Sequence, residues 1–405
     1  MNDRRHALQR AYEFDGTQSE RELRKHGAFV YISTNEELSS FCDRISKEHV
    51  VAVDTEFLRE KTYFPKLCLI QVGTANEVAA VDPILVEDLS PLVAILSDAR
   101  TIKVFHACTQ DLEVILEGMG CACSPVFDTQ VGAAFLGMRQ QASYGALVEQ
   151  YEGVHLAKTE ALTDWSMRPL DPEQLSYAED DVRYLPAIYE RMITDLVEKD
   201  RLSWVMPEMD AVSDPDKVRR DPRDAYLKLK RSSSLTRRQL SVAREVCAWR
   251  EESAARRDLP RKWVVPDEVV VEICKRTPVS VDRLHRIRGT EQLSERDAAQ
   301  VVHAVERGMA VPPEKFPKVE HHSRPSAEVE GILDLMYAMT RVVSEKSGIA
   351  AQLIATREDL ADFVSDREGS RLSTGWRHDL VGAKLERLLA GEIGLTVKEG
   401  HIEVL

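Results

Sequence analysis

Asp54 and Glu56 are separated by one residue at the end of the apolar run 50–54. On a strand, residues two apart point to one face, so both carboxylates project together at the strand's C-terminal end. Asp111 stands in F-H-A-C-T-Q-D-L, just after another apolar run. It falls in the first turn of the following helix, where the helix dipole favours an acid. Tyr177 and Asp181 are four apart and share a helix face. Taken singly, each has a plain reading: a solvated strand end, an acid at a helix start, a half-buried core tyrosine. Taken together, they supply four carboxylates at element ends. A cluster of that kind repels itself unless cations neutralise it. Hard divalent ions take oxygen ligands, and Mg²⁺ or Mn²⁺ suits carboxylate and water. Two such ions about 4 Å apart activate a water and stabilise the leaving oxygen in phosphodiester cleavage. A tyrosine hydroxyl beside them can orient the attacking water.

The elements that must position these residues read as α/β up to about residue 200. A helix is expected over 36–45, and a buried central strand over 50–54. Runs 67–73 and 78–82, separated by TANE, suit an antiparallel hairpin. A helix over 89–96, a strand over 102–105, a helix over 112–119 and a short strand at 126–127 follow. The sum is a mixed sheet of about five strands flanked by helices. Leu170-Asp171-Pro172-Glu173-Gln174 carries the N-cap, N1 proline and capping-box pattern of the helix that bears Tyr177 and Asp181. Pro186 should kink that helix one turn later, and Glu179 and Asp180 should be solvated. Beyond Val212 the periods are helical, except for 395–405, which reads as a small hairpin around Glu399-Gly400.

The expected domains are a mobile extension over 1–27, a nuclease-like α/β domain over 28–210, and a linker over 211–234. A helical domain over 235–312, a Pro- and His-containing linker over 313–327, and a second helical domain over 328–405 follow. The chain has 405 residues, 43% hydrophobic and 30% charged, enough to bury a core in each domain. No apolar run is long enough for a membrane span, and the first thirty residues carry no signal-peptide core, so a cytoplasmic protein is expected. The seven scattered cysteines fit reduced thiols. Net charge is −14, yet residues 217–262 hold 15 Lys/Arg against 6 Asp/Glu. That local excess could steer a nucleic acid or be a solvated helix face.

Four segments carry a resemblance to a family: VDTEFLREKTYFPKLCLIQV, VFHACTQDLEVIL, FDTQVGAAFLG and LTDWSMRPLDPEQLSYAEDDVRYL. In this order and spacing they resemble ribonuclease D, a DEDD-type 3′→5′ exonuclease family, and Tyr177-x-x-x-Asp181 matches its tyrosine subgroup. The helical domains resemble the HRDC modules that ribonuclease D carries behind its nuclease. The resemblance implies a ribonuclease-H-like core in which Asp54, Glu56, Asp111 and Asp181 hold two metal ions, Mg²⁺ or Mn²⁺. It implies that Tyr177 positions or deprotonates the water. A free tyrosine has a pKa of ~10, which favours positioning. No metal-binding position departs from the family pattern, whereas residues 1–27 have no counterpart in it.

Three further residues are candidates for RNA contact, each with a structural alternative. Phe57 stacks on the terminal base or packs in the core. His106 touches phosphate or is buried and hydrogen-bonded. Lys158 contacts the RNA backbone or is a solvated loop lysine. The implied function is a metal-dependent 3′→5′ exoribonuclease releasing 5′-nucleoside monophosphates, with tRNA precursors as partners in tRNA 3′ maturation. It would act as a monomer, without a membrane and without ATP, since no G-x-x-x-x-G-K-[ST] is present. The alternatives are a DNA 3′→5′ exonuclease of the same superfamily and a catalytically inactive RNA-binding adaptor. The adaptor reading expects loss of at least one metal carboxylate, and all four are present.

Overall fold

The structure is a computed structural model, and it describes residues 28–156, 163–218, 221–317 and 326–405. The expected extension over 1–27 and most of the second linker therefore lie outside the described residues. The α/β region begins with β1 (Ala28–Ile32), α1 (Asn35–Ile45), β2 (Val50–Leu58), β3 (Lys66–Gly73) and β4 (Glu77–Val81). It continues with α2 (Ser90–Leu96), β5 (Ile102–Phe105), α3 (Thr109–Met119), β6 (Val126–Asp128), α4 (Thr129–Phe135) and α5 (Tyr144–Glu152). It closes with α6 (Pro172–Arg183), α7 (Leu185–Glu198) and α8 (Leu202–Ser213). Helix starts follow local chemistry: Thr34 with Glu37, and Asp171 with Gln174, each form a complete capping box.

The sheet has six strands in the order β1-β4-β3-β2-β5-β6, not five. β2, β5 and β6 are parallel, β3 is antiparallel to β2 and β4, and β1 pairs in parallel with β4 at the edge. Two apolar layers sandwich the sheet. Val51, Val53, Ile70 and Val72 pack under α1, α2 and α3, with Phe41, Leu92 and Leu112. The opposite face packs under α6 and α7, with Leu69 and Ala80 against Leu175 and Ala178, and Ala52 in the cluster of Val182 and Ile188. Pro186 does more than kink a helix. The turn breaks at Tyr184, and α7 starts with the proline in its first turn, where the missing N–H costs nothing.

The span 211–234 is not an extended connector. It contains the end of α8, a turn α9 (Pro215–Val218) and 3₁₀ turns at Pro222–Lys228 and Ser232–Ser234. Leu229 and Leu235 are buried in the core of the first helical region. That region holds α10 (Arg237–Arg257), α11 (Arg261–Val264), α12 (Asp267–Arg276), α13 (Val281–Leu284) and α14 (Glu295–Met309). After it come α15 (Ala327–Ser347), α16 (Ala351–Ile354), α17 (Arg357–Ser365), α18 (Gly375–Arg377), a π turn at His378–Gly382 and α19 (Ala383–Leu389). The expected hairpin closes the chain as β7 (Leu395–Lys398) and β8 (His401–Val404).

The two helical regions share one corner geometry. α10 and α15 both have 21 residues, and each ends on a left-handed residue, Asp258 (φ 49°) and Gly348 (φ 70°). A four-residue helix starts three positions later in each and ends on Val265 (φ −152°, ψ 122°) or Ala355 (φ −155°, ψ 129°). Both regions touch the nuclease at this corner. Asp258 accepts from the Tyr63 and Phe64 amides at 3.0 Å, while the Ser347 carbonyl accepts from Arg201.

Candidate active site

β2 does not stop at Asp54. It runs to Leu58, so Asp54 and Glu56 sit inside the strand rather than at its end. Its parallel neighbour β5 pairs only with Val50–Ala52, so the two acids lie past the end of that pairing. The register of β2 on β3 shifts between Glu56 and Phe57. A bulge there bends the strand and re-aims its side chains. Asp54, Glu56 and Asp181 converge: each offers a carboxylate oxygen, and these all lie within 4.8 Å of one another.

Asp111 reaches the same place from the other side of the sheet. Asp54 and Glu56 alternate with Thr55, which points to the layer under α3. The buried Thr55 hydroxyl donates to Asp111 Oδ1 at 2.6 Å, so Asp111 is not among the three converging carboxylates. It is near enough that its charge ranks directly after burial in raising Asp54. The turn before Asp111 passes through Ala107 at φ 62°, a left-handed conformation that disfavours a Cβ. Asp128 holds that turn, accepting from the Ala107 and Cys108 amides at 3.0 Å each and from Gln130 at 2.8 Å.

α6 lies close to the sheet because β3 ends in glycine. A Cβ on Gly73 would come within 2.8 Å of the Val182 carbonyl oxygen. Arg168 anchors the approach to α6. It donates to Asp82 Oδ1 at 2.9 Å and to the Trp165 and Cys68 carbonyls at 2.7 Å. Tyr144 ties α5 to the Asp180 carbonyl at 2.8 Å. Tyr177 is half-buried against Trp165, their rings 6.1 Å apart. Glu179 and Asp180 are half-buried rather than solvated, and Glu179 pairs with Arg183 on the next turn.

The electrostatics are those of a buried acid cluster. Burial, then the charges of Asp111, Asp181 and Glu56, hold Asp54 well above the usual carboxylate range. Burial, then Asp181 and Asp111, push Glu56 up to about 8. Burial and Asp180 lift Asp181 to about 7, and burial lifts Asp111 to about 6 against the pull of Thr55. Asp181 Oδ2 is buried with no hydrogen-bond partner among the described residues. Such an oxygen is costly unless a cation or donor meets it. An all-carboxylate donor set fits a hard divalent ion. Burial, then Asp181, Glu56 and Asp54, also push the Tyr177 hydroxyl upward.

The donor set suits a divalent cation, and comparison with known proteins shows the family. A family model described as 3′-5′ exonuclease matches residues 29–196, and one for the HRDC domain matches 239–304. The chain is 36% identical over 380 residues to ribonuclease D of Acidiphilium cryptum, covering 93% of this chain and 97% of that protein. It is 37% identical over 378 residues to ribonuclease D of Nitrobacter hamburgensis, covering 92% and 98%. The chain belongs to the ribonuclease D family. The crystal structure of Escherichia coli RNase D, an exoribonuclease involved in structured RNA processing, superposes with a TM-score of 0.76 at 30% identity. That match covers 90% of this chain and 99% of that one. The protein is thus a 3′→5′ exoribonuclease with a ribonuclease-H-like core and a C-terminal helical HRDC region.

Phe57 lines a cavity of about 450 Å³ beside Asp111. His106 does not face that space with a free polar edge. Its Nε2 meets the Ala142 carbonyl and its Nδ1 the Thr129 hydroxyl, both at 3.0 Å. Burial lowers its pKa. A carbonyl only accepts, which puts a proton on Nε2, while the Thr129 hydroxyl itself donates to the Phe105 carbonyl at 2.9 Å. Lys158 lies outside the described residues. Thr55, Gln71, Asp128 and Arg168 are the supporting residues that sequence reasoning missed. Gln71 pairs directly across from Asp54 and is fully buried, its amide without a partner among the described residues. Only Asp128 had a local signal, as an acid immediately before a helix.

Proposed function

We propose that the protein holds two divalent cations, Mg²⁺ or Mn²⁺, on Asp54, Glu56, Asp111 and Asp181. The observation that carries the reading is the convergence of Asp54, Glu56 and Asp181 within 4.8 Å, with Asp111 arriving from the opposite layer. When bound, the ions supply an activated water and charge stabilisation for the leaving oxygen. Tyr177 remains a neutral hydroxyl, since its surroundings raise rather than lower its pKa. It therefore positions the water instead of removing its proton. Thr55 and Asp128 keep Asp111 at the strand edge, and Phe57 offers a face to the terminal base. The substrates are precursors of tRNA trimmed at their 3′ ends, by a monomer in the cytoplasm. The region over 326–405 is a second module of HRDC type, supported by the corner geometry it shares with the first module.

The test uses 5′-labelled RNA with a free 3′-hydroxyl, incubated with Mg²⁺ and then with chelator. Stepwise shortening with release of 5′-nucleoside monophosphates, abolished by chelator, is expected. A 3′-phosphate should impede it. Chelator-resistant shortening, or a circular RNA cut at a comparable rate, would contradict the reading. A tRNA precursor with a 3′ trailer should be trimmed to a defined end, while an unstructured RNA should be degraded through.

A further inference from the structure

β3 is a central strand of a sheet covered on both faces, and such strands read as near-continuous apolar runs. Its run Leu67-Cys68-Leu69-Ile70-Gln71-Val72-Gly73 is interrupted by one amide, Gln71. Gln71 is fully buried, as are its chain neighbours Ile70 and Val72 and its partner Ala80 on β4. Neither its Nε2 nor its Oε1 has a hydrogen-bond partner among the described residues. An amide left unpaired in such a place is costly, whereas an apolar side chain of similar shape would be neutral or stabilising. Packing alone therefore gives no reason for a glutamine at this position.

The strand register fixes what the amide stands beside. Gln71 pairs directly with Asp54, so both side chains stand on the same face of the sheet. That face is the one under α6. Leu69, two residues before, packs with Leu175 and Ala178, and Gly73, two residues after, is closed over by Val182. Gln71 thus lies beneath the turn of α6 from Ala178 to Val182, the turn that carries Asp181. Asp181 converges with Asp54, and its Oδ2 is buried without a donor among the described residues. One layer therefore holds an amide with two N–H donors and no acceptor, beside a carboxylate oxygen with no donor.

We propose that Gln71 is a positioning residue for the cation site, whose amide donates to the outer oxygens of Asp54 and Asp181 when these carboxylates hold a divalent ion. A carboxylate offers two oxygens, and a donor fixed on one of them decides which oxygen the ion receives. Asp111 already has such a partner in the Thr55 hydroxyl. Gln71 plays the same part on the opposite face of the sheet, so each layer supplies one neutral strand donor to the cluster. A neutral amide does this without adding charge to acids that already repel one another. The inference rests on the two-cation reading and deepens it by adding a residue that orients two of the ligands without touching the ions.

The experiment compares wild type with Q71M, Q71A and V78A in the absence of RNA. Mn²⁺ binding is read from the electron paramagnetic resonance signal of free Mn²⁺, and thermal stability in chelator from circular dichroism. Q71M keeps the size of the side chain and removes both donors. Its Mn²⁺ affinity should fall about 10–100-fold, the usual effect of removing a partner of a metal ligand. Its metal-free Tm should stay level or rise, because an unpaired amide leaves the core. Q71A should lose the same affinity with a lower Tm, since it opens a cavity. Val78 is buried in the same layer and pairs with Gly73, away from the acids, so V78A should lower Tm and keep Mn²⁺ affinity. Affinity losses in Q71M and Q71A no larger than in V78A would overturn the proposal and leave the cation reading standing. If the wild type bound no Mn²⁺, the cation reading would fall, and the role of Gln71 with it.

Discussion

At the scale of single residues, the site combines acids that are individually unfavourable. If the two-cation proposal holds, replacing Asp54 or Asp111 with Asn removes a ligand charge worth several kcal/mol of transition-state stabilisation. Turnover should fall about 10³-fold or more, measured on end-labelled RNA. Tyr177→Phe should lose about 10²–10⁴ in rate while Mg²⁺ affinity stays, as expected for a group that orients the water. The metal-free stability has a definite sign. Glu56, Asp181 and Asp111 are all raised above unfolded carboxylates, to about 8, 7 and 6. The native state then binds more protons than the unfolded state, and stability is lost as pH rises from about 4 through about 8. Mg²⁺ should offset this, so the Mg²⁺-induced rise in Tm should grow between pH 5.5 and 8. Asp54→Asn should raise the metal-free Tm at pH 8 while abolishing activity, and a lower Tm would contradict the repulsion argument.

At the scale of elements, the acids are placed by turns and close approaches rather than by their own strands and helices alone. The turn over 106–108 holds Ala107 in a left-handed conformation, and Asp128 supplies its acceptors. Asp128→Ala takes the acceptor from the Ala107, Cys108 and Gln130 amides, at a cost of about 1–3 kcal/mol each where they are buried. It should lower both urea stability and turnover. Adding Ala107→Gly removes the conformational penalty on the turn and should restore part of the turnover. Gly73→Ala pushes a Cβ against the Val182 carbonyl and displaces α6 from β3. A loss of about 1–3 kcal/mol is expected from overpacking, with Mg²⁺ affinity reduced because Asp181 moves with the helix.

At the scale of the whole molecule, the nuclease packs against two helical regions held in different ways. The first docks through Asp258 and through Tyr63, whose hydroxyl donates to Glu251 at 2.9 Å. The second shares an apolar core with the nuclease. Trp376 stacks on Trp204 at 5.9 Å, meets Phe135 edge-on at 5.0 Å, and donates to Glu208 at 3.0 Å. Trp376→Ala should cost about 3–5 kcal/mol and add an early transition to the urea melt, followed by tryptophan fluorescence. Cutting the chain near Ser213 would expose Trp204 and Phe135, so point variants test the helical modules more cleanly than truncation does.

The acid pair two apart, the tyrosine and acid four apart, and most strands and caps were legible in the sequence, because each depends on neighbours within one or two turns of chain. Contacts between distant residues were not. The bond from Thr55 to Asp111 spans 56 positions, and the partner of His106 at Ala142 lies 36 away. Short edge strand β1 was missed because its order comes from pairing with β4, with only Ile32 fully buried. The span 211–234 read as a linker because its 3₁₀ turns lack a helical period, while Leu229 is buried only by the neighbouring module. Local periodicity determined which residues could do chemistry. Chain closure, which brings opposite layers to one strand edge and one module's corner to the cleft, decided where that chemistry is done and what approaches it.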